Sequence, residues 1–409
     1  MELLHLSTFL RRPMFDQAGE RIGRVQDLVA RMGDDPHPPI VGAVIRIENR
    51  DLFVPIRKIG GLAEGRVTFQ GRRVDLRRFE RRPGEILLAQ DLLTRHLINL
   101  VRGRLISAHE IELAEVDGRW EVVGVDPARR NLFGRRRGGD IVDFASIEPF
   151  VAHVPSARLK IPYRKLARLH PAQIADLVEQ ASHEEGEEII EAVKLDRELE
   201  ADVFEELDTT HQLEFLEDRT DEEAARLLAR MEPDNAADLI SEIDQERRLP
   251  ILENLPGPQR NKVRNLLAYN ADTAGGLMSP DFVTVGAAAT VGEALDAVRS
   301  SRAPSEALST VFVLDDEGQP RGAVPVAALV RAPADSPVLT IARSPLAHVH
   351  PHWELHRVAR KMSDFNLTVL PVVDEGHGAM IGVVTVDDLL EDLLPQGWRR
   401  EFGMTAVEE

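Results

Sequence analysis

Six positions spaced twelve residues apart run through the middle of the chain: Asp196, Asp208, Thr220, Glu232, Asp244 and Pro256. Seven and eight residues after each stand Val203 and Phe204, Phe215 and Leu216, Leu227 and Leu228, Leu239 and Ile240, Ile251 and Leu252, Val263 and Arg264. Eleven of these twelve are apolar. A period that short leaves room for a helix of about nine or ten residues and a tight turn. Asp or Thr at the head satisfies orphan backbone N–H groups, and Thr220 with Glu223 has the capping-box spacing. An acid at that end also complements the helix dipole. Helices this short are marginal alone, so residues 154–272 are expected to stack into one all-α superhelical body.

Capping accounts for one acid per unit and leaves the many further carboxylates between positions 184 and 222 unexplained. Charge is divided unevenly. Residues 1–165 hold 29 Lys and Arg against 22 Asp and Glu, and the remainder 21 against 47, for a net charge of −19 over the 409 residues. Negative charge segregated in this way repels itself unless cations screen it. Cysteine is absent, which excludes disulfides, thiolate zinc sites and cysteine nucleophiles. The longest apolar run, "PPIVGAVI" at 38–45, is too short to cross a bilayer. The N-terminal "MELLHLSTFLRR" has its positive charges after the apolar stretch, the wrong order for a secretory signal. A cytoplasmic protein is expected, with the basic N-terminal region placing it against the inner face of the membrane.

Residues 1–153 read as short β-branched strands, "RIGRVQDLVAR", "PPIVGAVIRI" and "LFVPIRKI", followed by a looser second copy in "VRGRLISAHEIELAEVDGRWEVVGVD" and "GDIVDFASIEPF". Gly23 aligns with Gly103, and on that alignment Ser107 stands where the first copy has Asp27. Two small barrels, or two halves of one, are expected. The pattern resembles the PRC-barrel family. Arginine clusters lie here, at Arg72-Arg73, Arg77-Arg78, Arg81-Arg82 and Arg135-Arg136-Arg137. They suit anionic lipid headgroups, an acidic partner or a plain solvated surface. Nucleic acid is disfavoured because no aromatic residues are interleaved with them.

The C-terminal part holds another duplication. A helix "TVGEALDAVRSS" precedes "VFVLDDEGQPRGAVPVAALV", and a helix "WELHRVARKMSDFN" precedes "VLPVVDEGHGAMIGVVTVDDLL", so that Asp315 matches Asp374 and Gly322 matches Gly382. Strand, Asp-rich turn, strand and helix, twice over, describe an α/β tandem CBS pair, placed at 273–337 and 338–396 with a tail at 397–409. The acidic repeat, the junction "LLAYNADTAGGLMSP" and the closing "GVVTVDDLLEDLL" together resemble the cytosolic half of the MgtE magnesium transporters. That family continues into a pore, whereas this sequence stops fourteen residues after Pro395. The resemblance therefore implies a sensor without its own channel.

Magnesium takes oxygen ligands, keeps several waters and is held by one or two carboxylates at a site, so it can bridge carboxylates on two bodies. The resemblance places the metal-binding acids at Asp234 and Asp238 on the helical side, spaced i and i+4 on one helix. On the CBS side it places them at Asp387, Asp388, Glu391 and Asp392, with Asp364 nearby and Asn366 where the family often has an acid. A solvated helix face explains the same residues without a metal. CBS pairs also hold adenine nucleotides through a G-x-x-[ST]-x-x-D pattern. The second copy supplies it with Gly382, Thr385 and Asp388, while the first has Gly322, Pro325 and Ala328 and lacks both polar groups. ATP or AMP at one site is the alternative ligand, and a structural strand-to-helix turn the bland one. The tract His348, His350, His352, His356 offers an i, i+4 pair but no third ligand.

No nucleophile elbow, phosphate-cradling glycine loop or HExxH pattern occurs, so no enzymatic activity is expected. The expectation is a cytosolic magnesium-sensing regulatory protein. In it Mg2+ bridges acidic surfaces of the helical body and the CBS pair, the chain forms a homodimer through the CBS domains, and it controls a membrane transporter partner. The alternatives are an adenine-nucleotide-sensing adaptor and the soluble subunit of a split magnesium transporter.

Overall fold

The computed structural model describes residues 3–33, 35–62, 66–71, 77–130, 136–137, 140–150, 163–344 and 346–394. The chain divides into two compact units, residues 1–207 and 208–409.

The first unit opens with a β-rich region made of two halves. The long strand Arg21–Arg31 pairs with Pro13–Phe15 and Ile40–Ile47, and the last of these pairs with Arg50–Pro55. In the second half, Arg104–Ser107 pairs with His96–Asn99, and Glu110–Val116 with Arg119–Asp126. The halves exchange their leading segments. Leu4 of the first half lies opposite Leu113 of the second, and Leu87, which leads the second half, lies opposite Val29 of the first. One apolar core runs through both halves, from Leu6, Met14, Leu28 and Ile45 to Leu97, Ile111, Val122 and Ile147. The region is therefore a single body with two related halves.

Asp27 is buried, and its carboxylate accepts the N–H groups of Leu28, Ala89 and Gln90 at 2.8–2.9 Å. Glu110 is buried in the second half and accepts from the N–H groups of Ser7 and Ile111, both at 3.1 Å, and from the Ser7 hydroxyl. The counterpart of Asp27 is thus Glu110, not Ser107. The second copy breaks its strand at Ala108 and His109, which shifts the equivalence by three residues.

Of the arginine clusters, Arg72, Arg73 and Arg135 lie outside the described residues, as do the side chains of Arg136 and Arg137. Arg81 donates to Asp91 at 3.1 Å, and Arg82 lies over the Phe53 ring with its guanidinium 5.3 Å from the centroid. These two are engaged locally.

Among the described residues this unit continues with α1 (Tyr163–Leu166), α2 (Pro171–Gln180), α3 (His183–Val193) and α4 (Arg197–Glu205). They seat on the second half of the β region. Gly103 adopts φ +56° and approaches Gln173 of α2, where an added Cβ would come within 2.8 Å of the amide. The His96 ring lies 3.2 Å from Glu185 of α3, and Lys165 pairs with the buried Glu148.

The second unit begins with α5 (Thr209–Glu217), α6 (Asp221–Leu228), α7 (Pro233–Glu242), α8 (Gln245–Asn254) and α9 (Gly257–Leu266). The residues preceding α4 to α9 are Asp196, Asp208, Thr220, Glu232, Asp244 and Pro256, the twelve-residue series of the sequence. Their chemistry is less uniform than their spacing. Asp196, Asp208 and Thr220 accept backbone N–H groups of the first turn, whereas Glu232, Asp244 and Pro256 make no side-chain capping bond. The apolar pairs are buried from Phe215 and Leu216 through Leu239 and Ile240, and Ile251 and Val263 continue the series. Each helix packs on the next but one: α5 on α7, α6 on α8, α7 on α9. A period of one short helix and one turn brings the apolar face back to the same side every second helix, and burial there offsets the marginal stability of each helix.

The CBS pair follows. In the first copy Val283–Gly286 runs parallel to Thr310–Leu314, which pairs antiparallel with Pro320–Pro325. Helices α10 (Val291–Ser300) and α11 (Val326–Arg331) flank them. The second copy has Val369–Val373 paired with Met380–Thr385, a parallel bridge from Val349 to Val372, and helices α12 (Leu355–Phe365) and α13 (Val386–Leu393). Asp315 and Asp374 organise equivalent turns by accepting backbone N–H groups within four residues. Leading peptides are exchanged here too. Ser279, ahead of the first copy, bridges Val383 of the second, and Arg343, ahead of the second, bridges Ala323 of the first.

Candidate functional site

Residues 270–279 form a strap laid along the second CBS copy. The Ala274 N–H donates to the Trp353 carbonyl at 2.8 Å, Gly275 to Pro351 at 2.7 Å, and Ser279 and Val383 exchange bonds at 2.8 and 2.9 Å. The glycines of "AGGLMSP" are required sterically. A Cβ on Gly275 would come within 2.7 Å of the Tyr269 ring, and one on Gly276 within 2.5 Å of the Asn270 carbonyl oxygen. At the start of the strap, Asn270 accepts the Asp272 N–H through its side chain at 3.0 Å and the Thr273 hydroxyl through its carbonyl at 2.6 Å. Asp272 is held by this turn and is exposed.

Three elements of the second unit carry carboxylates that act on one another through their charge: Asp238 of α7, Asp272 of the strap and Asp392 of α13. Asp238 is pushed up to about 6 by partial desolvation and then by the negative charges of Asp392, Glu242 and Asp272. Asp238 is exposed, so water moderates both the desolvation and the effect of the neighbouring charges. Asp392 is raised by desolvation and by the charges of Asp272 and Asp388. The charges of Asp272 and Asp392 act on Asp238 through space, but the three do not bring ligand atoms within 4.8 Å of one another, so a divalent cation there would be held largely through its own waters.

Of the expected metal ligands, Asp392 acts on Asp238 through its charge, and Asp388 acts on Asp392. Asp234 is buried in the first turn of α7. Asp364 is exposed on α12 and Asp387 on α13, and neither takes part in the electrostatic coupling of Asp238 or Asp392. The side chain of Glu391 lies outside the described residues. Sequence reasoning missed Asp272. Its signal was a lone acid inside the quoted junction, ahead of two glycines. Asn366, where an acid was anticipated, closes α12 in the left-handed conformation at φ 50°, ψ 52°. That position favours Asn.

Gly382, Thr385 and Asp388 form the start of α13. The Thr385 hydroxyl donates to Asp388 Oδ2 at 2.7 Å and accepts the Asp388 N–H at 3.2 Å, a capping box. Desolvation raises Asp388, the bonds from Thr385 oppose this, and the charges of Asp387 and Glu306 add to it. Gly382 is close to the strap, where a Cβ would come within 2.8 Å of the Met278 sulfur. All three residues of the nucleotide pattern therefore also have structural work. The histidines of the 348–356 tract go to different partners: His350 donates to the Val373 carbonyl at 2.9 Å, His352 lies 3.5 Å from Glu375 and His356 3.3 Å from Glu354. No helix of the described residues is long and apolar enough to cross a membrane.

Residues 169–272 match the family described as the MgtE intracellular N domain, and 274–335 and 338–395 match CBS domains. The magnesium transporter MgtE of Thermus thermophilus is 35% identical over 158 residues, which cover 38% of this chain and 35% of that protein. That of Enterococcus faecalis is 29% identical over 151 residues, 37% of this chain and 33% of that protein. The chain spans about a third of the length of these relatives. The solved cytosolic domain of the Mg2+ channel MgtE in complex with ATP is 28% identical, with a TM-score of 0.52 over 57% of this chain and 93% of that one. The soluble part of a magnesium transporter, 24% identical with a TM-score of 0.52, shares the fold over 56% of this chain and 90% of its own length. Residues 169–395 of this chain therefore hold an MgtE intracellular N domain followed by a tandem pair of CBS domains.

Proposed function

We propose that the chain is a magnesium-responsive regulatory protein of the MgtE type, acting in the cytoplasm on magnesium transport across the adjoining membrane. The observation that supports this reading is the electrostatic influence of Asp272 on the strap and Asp392 on the second CBS copy upon Asp238 of the helical body. Like charges on neighbouring elements repel, and more strongly where solvent screens them less. Such repulsion loosens the contact between the helical body and the CBS pair without parting them. Asp238, Asp272 and Asp392 would hold the ion, with Glu242 and Asp388 adding to the field, and its two positive charges turn that repulsion into attraction. The angle between the helical body and the CBS pair then reports the magnesium level to a pore-forming partner. The exposed Phe365, Leu390 and Leu393 on α12 and α13 favour assembly of two chains through their CBS pairs.

Small-angle scattering in chelator and in millimolar Mg2+ tests the reading. The radius of gyration is expected to fall with Mg2+, and the fall is expected to shrink in Asp238→Asn. Dimensions that ignore Mg2+ would sink it.

Adenine nucleotide is a second ligand for the same chain. It is favoured by Gly382, Thr385 and Asp388 in the second CBS copy and by the similarity to an MgtE cytosolic domain in complex with ATP. Calorimetric titration with ATP and AMP decides it. Heat that survives Thr385→Ala would remove Thr385 from the site.

A further inference from the structure

The helical body is also held to the CBS pair by a contact that needs no metal. Lys262, midway along α9, donates to both carboxylate oxygens of Asp281 at 2.5 and 2.7 Å. Asp281 lies two residues beyond the end of the strap, and its own N–H donates to the Ser279 hydroxyl at 3.3 Å. The two side chains are 35% and 31% exposed, so the pair is only partly screened by water and salt.

The strap leaves α9, turns at Asn270, is bonded to the second CBS copy at Ala274, Gly275 and Ser279, and returns to α9 through Asp281. The Lys262–Asp281 pair closes this path into a loop. A closed loop cannot lengthen, so α9 can swing away from the CBS pair only after the pair breaks. The Asp238, Asp272 and Asp392 carboxylates push in the opposite sense, and Lys262 supplies positive charge that is covalently part of the chain.

We infer that Lys262 and Asp281 form a cation-independent clip, which holds the helical body on the CBS pair while the acids repel and so sets how much divalent cation closure requires. The setting of that threshold rests on the magnesium reading above, whereas the clip itself does not.

The chain has no cysteine, so Leu249→Cys on α8 and Val330→Cys on α11, both at exposed positions, take a pair of spin labels without background. Their distance distribution in chelator is expected to be narrow with the clip intact and broad in Lys262→Gln and in Asp281→Asn. The reversed pair, Lys262→Asp with Asp281→Lys, is expected to narrow it again. The Mg2+ concentration that half-closes the protein is expected to rise roughly two- to five-fold in Lys262→Gln, the range of a partly exposed ion pair. Circular dichroism confirms that each variant is folded, and Asp281→Asn serves if Lys262→Gln is not. A distribution in chelator that stays narrow in both single variants overturns the clip, as does a reversed pair that stays broad. If the single variants broaden and Mg2+ narrows no distribution, the clip stands and the magnesium reading falls.

Discussion

Asp27 and Glu110 occupy equivalent places in the two halves of the β region, and each holds the leading segment of the other half. Asp27 binds the N–H groups of Ala89 and Gln90, and Glu110 binds the N–H and hydroxyl of Ser7. Each carboxylate also binds the N–H of the residue that follows it. The exchange of leading strands therefore ends in a charged acceptor at both crossings, and the shared core lies between them.

Replacing either acid by Ala leaves buried N–H groups without an acceptor, at about 1–3 kcal/mol for each group that water does not reach. Asp27→Ala is expected to lower the stability of the β region by about 3 kcal/mol, and Glu110→Ala by about 2 kcal/mol. Urea unfolding followed through Trp120, which packs against the shared core, measures both. A loss below about 0.5 kcal/mol in each would mean that the leading segments are held by apolar contact alone.

Asp27 also makes stability depend on pH. Burial raises its carboxyl from 3.8 to about 6, against the lowering effect of its three N–H bonds. The folded chain therefore takes up a proton between about pH 4 and 6 that the unfolded chain does not hold. The contribution of this group is most favourable below about pH 4 and is lost as the pH rises past 6. A plot of unfolding free energy against pH is expected to fall through this window in the wild type and to lose part of that slope in Asp27→Asn.

The two glycines that face the strap differ in what they meet. A methyl on Gly276 strikes the backbone at Asn270 and Ala271, at 2.5 and 2.6 Å, while one on Gly382 meets the flexible Met278 side chain. Backbone cannot yield as a thioether can. Gly276→Ala is expected to cost about 2 kcal/mol or more and Gly382→Ala about 1 kcal/mol or less. Thermal unfolding of the two variants side by side checks the order, and equal losses would contradict it.

Much of the helical part was legible because its signals are local. A head residue and a pair of apolar positions recur within one helix length, and every head from Asp196 to Pro256 stands where the spacing put it. Capping by the side chain was less legible: at Asp244 the residue type suits a cap but no capping bond forms. The β region was harder to read because its pairing is non-local. Glu110 answers Asp27 only once the break at Ala108 and His109 is known, and nothing in the spacing announces the exchange of leading strands. Asp272 eluded the sequence for a related reason. It belongs to no helix, so no period points to it, and only the folded strap carries it to Asp238 and Asp392.

The charge crowding at Asp238 gives the most direct test of the site. With its carboxyl raised to about 6 from 3.8, Asp238 is charged at pH 7 and repels Asp392 and Asp272. Below about pH 6 it takes up a proton and that repulsion fades. In chelator, the second unit is expected to become more stable and more compact as the pH falls from 7 to 5, in the same direction as the response to Mg2+. Asp238→Asn removes the charge at every pH, so at pH 7 in chelator it is expected to unfold later than the wild type, by about 1 kcal/mol once solvent screening is allowed for. It is also expected to need more Mg2+ for closure, because one oxygen donor of full charge is gone. Calorimetry at pH 7 and pH 5, with and without Mg2+, separates the two effects. If Asp238→Asn is less stable than the wild type in chelator at pH 7, the carboxylate is engaged in an attractive contact there and the repulsive seam is not how this unit is built.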